Sequence, residues 1–164
     1  MKKTLIALCI LFIGFNVQAQ ETEADKEKAA KAMEMMSKKV DMDVNEELFM
    51  AVTPNTYVSE NPKAVIMAMM VPETYEASKE KMNENDTDKF KVTGRGEKEI
   101  NGVKVLYMEG TSEAEGTTLN NTIYCVKYDE ETCIMFIGMV EDGADVKYTD
   151  AVAKAANSVI KKHK

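Results

Sequence analysis

Residues 99–110 read EINGVKVLYMEG, and this stretch decides the fold. Asn101-Gly102 sits between two runs of β-type residues. A two-residue Asn-Gly connection takes positive φ at both positions, the type I′ geometry that joins antiparallel strands. The spacing therefore predicts a hairpin, with residues 90–100 leading in and VKVLYMEG, 103–110, leading out.

Downstream, TLNNTIYCVKY (118–128) and TCIMFIGMV (132–140) are the longest and most apolar runs, joined by a short acidic turn. They predict a second hairpin, and TSEAEGT between the two hairpins reads as a polar loop. Upstream, AVIMAMMV (64–71) is apolar on both faces and belongs near the centre of a sheet. LFMAV (48–52) is a shorter strand. TPNTYVSENP between them reads as a loop, from Pro54, Asn55, Asn61 and Pro62.

Three helices accompany these strands. Residues 21–40 have acids at the start and lysines at the end, as the helix dipole favours. Pro72 stops the central strand and suits the first turn of a helix over roughly 73–83. Over 147–161, Tyr148, Val152, Ala155 and Val159 recur along one side. The expected fold is α+β: a mostly antiparallel sheet of about six strands with two hairpins, flanked by N-terminal, middle and C-terminal helices.

Residues 1–19 read as a secretory signal peptide. Lys2 and Lys3 form the basic start, Leu5 to Val17 the apolar run, and Val17-Gln18-Ala19 the cleavage motif. The apolar run of about 13 residues is shorter than the roughly 20 that span a bilayer, so no membrane span is expected after cleavage. Residues 20–40 then form a helical N-terminal extension and 41–164 a single domain in a secreted or periplasmic protein.

The full chain of 164 residues has 28 acidic and 21 basic side chains, a net charge of −7. Lys2 and Lys3 leave with the leader and no acid does, so −7 becomes −9. That balance argues against a nucleic-acid partner. The one imidazole, His163, lies next to the C-terminus. This excludes Ser-His-Asp triads, Cys-His dyads and most zinc hydrolases.

Four sets of residues are candidates for chemistry. A three-residue loop at 128–130 would place Cys125 opposite Cys133, near the short limit for a disulfide, and an exported protein meets an oxidising compartment. The thirteen methionines include Met33 and Met36 on a helix, Met67 and Met69 on one strand, and Met135 and Met139 on another. Thioethers are soft ligands for Cu(I), and they also fill adaptable apolar layers. Arg95, the only arginine, is a candidate anion clamp. Glu113, Glu115 and Asp129 lie in predicted turns, where acids are ordinarily solvated.

The element order resembles the PsbP-like α/β/α sandwich. The residues that carry the likeness are LFMAV, the loop with Pro54 and Pro62, AVIMAMMV with Pro72 and its helix, EINGVKVLYMEG, TIYCVKY with CIMFIGMV, and the closing DAVAKAANSVI. The resemblance implies a binding or assembly module more than an enzyme, and it transfers no functional residue. The expected protein is therefore a non-enzymatic exported binding or accessory protein of the bacterial envelope. Its partner would be an unknown protein segment or small apolar ligand, with no cofactor. A periplasmic, methionine-based Cu(I)-binding protein is the alternative, and a carboxylate-dependent enzyme the second.

Overall fold

The computed structural model describes residues 23–84 and 90–162. The leader read over 1–19, and His163, lie outside the described residues. The chain divides into two units, Met1–Lys31 and Ala32–Lys164. Helix α1, Glu23–Ser37, is shorter than the helical stretch expected to residue 40. In the first unit Lys31 pairs with Glu27 one turn earlier at 2.9 Å.

The second unit is built on a sheet. Its strands are β1 Met50–Thr53, β2 Thr56–Glu60, β3 Lys63–Val71, β4 Phe90–Ile100, β5 Val103–Ala114, β6 Thr117–Lys127 and β7 Cys133–Glu141, with helices α2 Tyr75–Glu84 and α3 Val146–Lys162. All pairings are antiparallel, in the order β1-β2-β3-β7-β6-β5-β4. Strand β3 is thus interior, beside the central β7, and the chain crosses through α2 to the far edge before winding back.

Sequence reading counts six strands and the described residues form seven. The additional one is β2, the Thr-Tyr-Val-Ser-Glu part of the expected loop. Pro54 and Asn55 form only the tight turn before it, and its β-formers then pair along β3. The expected loop TSEAEGT is likewise mostly strand. Glu115 (φ 52°) and Gly116 (φ 74°) make a second two-residue turn, with Ala114 opposite Thr117. Asn101 and Gly102 have φ of 54° and 78°, as the opening motif requires.

The pairing places even-numbered residues of β3, β6 and β7 on one face of the sheet and odd-numbered residues on the other. The even face carries α3. Ile66, Ala68 and Phe136 pack there with Val152, Ala155 and Val159, joined by Val40 and Phe49 from the segment after α1. Gly138 lies under Val152, which lets the helix settle onto the strands. Asp145 caps α3, accepting from the Lys147 amide at 3.0 Å.

Buried Asn55 ties the 38–40 segment to the sheet. Its side chain accepts from the Val40 amide at 2.8 Å and donates to the Lys38 carbonyl at 2.7 Å. Helix α2 lies over the odd face, against β4 and β6. Thr74 is its cap, with the Ala77 amide donating to Thr74 Oγ1 at 3.2 Å. Pro72, expected in the first turn, therefore stays outside the helix.

Candidate functional site

The odd face gathers most of the sulfur carried by the strands. Across β3, β7, β6, β5 and β4, one row holds Met69, Met135, Cys125, Leu106 and Glu97. The next holds Met67, Ile137, Ile123, Met108 and Arg95, and the next Val65, Met139, Asn121, Gly110 and Val92. The four strand methionines singled out by sequence thus share one face. Met67 and Met139 are buried, while Met69 and Met135 are half-buried. Met33 is 74 % exposed. The sulfur of α1 that packs is Met35, on the α3 side, where Thr132 Oγ1 donates to its Sδ at 3.8 Å. Met36 is half-buried on the same helix.

The expected cysteine register is corrected. Cys125 stands opposite Met135 and Cys133 opposite Lys127, so the two cysteines are diagonal neighbours on the odd face. The turn is centred one residue later than expected. Tyr128 and Asp129 both donate backbone N–H bonds to the Thr132 carbonyl, at 3.0 and 3.1 Å. Asp129 Oδ1 accepts from the Glu131 amide at 2.9 Å, an Asx turn that fixes the loop at 129–131.

Both thiols are buried and free, and they hydrogen-bond to each other. The Cys125 thiol is pushed well up by its bond with Cys133 and then by burial. Cys133 is lowered, first by its bond with Cys125, against the opposing effect of burial. Above them sits Ser78 of α2, 2 % exposed and in hydrogen-bond contact with both sulfurs. Its one hydroxyl proton goes to Glu73 Oε2 at 3.0 Å, which leaves oxygen lone pairs for the thiols. Lys81 pairs with the other oxygen of Glu73.

Arg95 does not present an open fork. Its Nη1 donates to the carbonyls of Met82 at 3.1 Å and Asn83 at 2.6 Å, satisfying the end of α2. Beside it, Glu97 accepts from the Tyr75 hydroxyl at 3.1 Å and pairs with Lys104 at 3.3 Å and Lys79 at 3.7 Å. The bonds from Lys104 and Tyr75 hold its carboxyl below the usual range. On the opposite face, Lys98 lies 4.4 Å from the Tyr107 ring centre and 4.9 Å from that of Tyr124. Burial opposes its charge, but bonds with Tyr124 and Glu109 outweigh that and raise it.

Sequence reading missed Ser78 and Glu73. The signal was present: Ser78 is three residues after Tyr75 and four before Met82, on the inward stripe of α2. Among the described residues, no group of three or more His, Cys, Asp and Glu side chains is placed to hold a metal ion. Among them, too, no helix is long and apolar enough to cross a membrane.

No protein-family model matches the chain, and comparison with curated proteins gives no match. Several solved structures resemble its fold. LpqN of Mycobacterium tuberculosis, involved in cell envelope biogenesis, is 14% identical, with 74% of this chain and 79% of that chain covered and a TM-score of 0.47. PA94 of Pseudomonas aeruginosa, a protein of unknown function and putative regulator, is 16% identical over 71% of this chain and 80% of its own, with a TM-score of 0.42. A Bacteroides thetaiotaomicron protein is 14% identical, covers 65% of this chain and 40% of its own, and has a TM-score of 0.42. At these values the likeness assigns no function to this chain.

Proposed function

We propose that the chain is an exported, non-enzymatic binding or accessory protein of the bacterial envelope. It holds a small apolar ligand, or an apolar segment of a partner, against the odd face of its sheet. One observation carries this reading. The sulfur-rich rows run from Cys125 and Ile123 across β7 to Met69, Met67 and Val65 on β3, and within this otherwise buried layer Met69 and Met135 are only half-buried. Unbranched thioethers adapt to varied apolar shapes, which suits a holding surface. The leader-like residues 1–19 and the PsbP-like order of elements agree with an exported binding module.

Native mass spectrometry of the mature protein purified from its own host tests this. The expected result is a co-purifying adduct that organic solvent removes. A double variant, Met69→Gln with Met135→Gln, should lose the adduct while keeping its circular dichroism. A bare mass for the native protein, or an adduct retained by the folded double variant, would overturn the reading.

A further inference from the structure

We propose that Cys125, Cys133 and Met135 form a site for one soft monovalent cation of the Cu(I) class, with Met69 as a fourth sulfur. Met135 is the hub. It stands directly opposite Met69 on one side and Cys125 on the other, and Cys133 precedes it by two residues on the same face. Directly opposed side chains bring their Cβ atoms to about 4.5–5.5 Å, so sulfurs from three strands converge on one spot. The inference shares Met69 and Met135 with the apolar-ligand reading but is read out separately, by bound metal and thiol protection and not by an organic adduct.

The arrangement favours an ion over a disulfide. The two cysteines are diagonal and not directly opposed across β6 and β7, and both are free. Both thiols rise from the same face and meet side by side, in contact through a hydrogen bond. The donors are thiols and thioethers, the ligand types that select Cu(I) over harder ions.

Binding is redox-neutral. Each thiol gives up its proton to water as its sulfur bonds the ion, so one Cu(I) and two thiols yield a bis-thiolate complex and two protons. Half-buried Met69 and Met135 meet the incoming ion before the buried thiols. Ser78 then serves the new charge. Its hydroxyl, bonded to Glu73 at 3.0 Å in the thiol state, turns to a thiolate, while Lys81 continues to neutralise Glu73.

The test is an anaerobic titration of the reduced full chain with Cu(I) against a colorimetric Cu(I) chelator. Alkylation is read by peptide mass spectrometry, so that Cys9 is scored separately. The expected result is one Cu(I) held per chain, with Cys125 and Cys133 protected together. Volume-conserving Met135→Leu should weaken binding about tenfold and Cys133→Ser about 100-fold. The wild-type protection pattern and the Leu variant keep the test decisive if the Ser variant does not fold. Complete stripping by the chelator, unchanged affinity in folded Cys133→Ser, or equal protection by Zn(II) would overturn the assignment. None of these outcomes bears on the solvent-extractable adduct that tests the apolar-ligand reading.

Discussion

Gly138 and Val152 set how closely helix α3 approaches the sheet: a Cβ on Gly138 would stand 2.3 Å from Val152 Cγ1. Both residues belong to the α3-side interior, so neither can swing into solvent. Gly138→Ala is expected to destabilise the chain by about 1–3 kcal/mol, the usual range for overpacking. Adding Val152→Ala should recover part of that loss. Urea unfolding of the two single variants and the double variant measures the coupling, and simple additivity would contradict the contact.

Asn55 offers a second test. Replacing it by Ala leaves the buried Val40 amide and the Lys38 carbonyl without their side-chain partner. The expected cost is about 2 kcal/mol, within the range for orphaned buried polar groups. Hydrogen exchange should quicken at Val40 more than along β6. Uniform quickening would mean that Asn55 supports the sheet as a whole.

Arg95→Ala removes the guanidinium that accompanies the end of α2. The expected loss is about 1–2 kcal/mol, because a charged donor to carbonyl oxygens is replaced only by water. Faster exchange should be confined to the last turn of α2. If it spreads into β5, Arg95 holds the strand and not the helix.

Stability is expected to bend at both ends of the pH scale through one pair of residues. Glu97 is lowered in the fold, chiefly by its hydrogen bond with Lys104 and then by that from Tyr75. Its contribution is present above the ordinary carboxylate pKa of about 4.3 and is lost as pH falls through the lowered value. Tyr75 is raised, first by burial and then by its bond to Glu97. Its contribution is present below about pH 10 and is lost as pH rises through the raised value. Glu97→Gln should flatten the acid limb of a urea-midpoint profile and Tyr75→Phe the alkaline limb. Unchanged slopes would contradict both assignments.

Much of this architecture was legible where backbone chemistry is local. Asn101-Gly102 announced its turn, and the Tyr148–Val159 stripe announced the face of α3. Strand β2 was hidden because Pro54 and Asn55 signal a turn without saying how long it is. The cysteine register failed for a different reason. Moving a hairpin turn by one residue shifts cross-strand partners by two and keeps every side chain on its face. Burial patterns in β6 and β7 therefore suit both registers, and only the Asx turn at Asp129 separates them. The four strand methionines could be assigned to a shared face from parity, but Ser78 could join them only after α2 was folded over the sheet.

The two edges of the sheet are finished in contrasting ways. Strand β1 is only four residues long, with a register shift between Ala51 and Thr53. Strand β4 is long, but its pairing slips between Val92 and Gly94, and it alternates lysine and glutamate from residue 97 to 99. Neither offers a foreign strand the long, even ladder that fibril growth copies. A chain with so much apolar sulfur in its interior is thereby kept from spreading sideways into its neighbours.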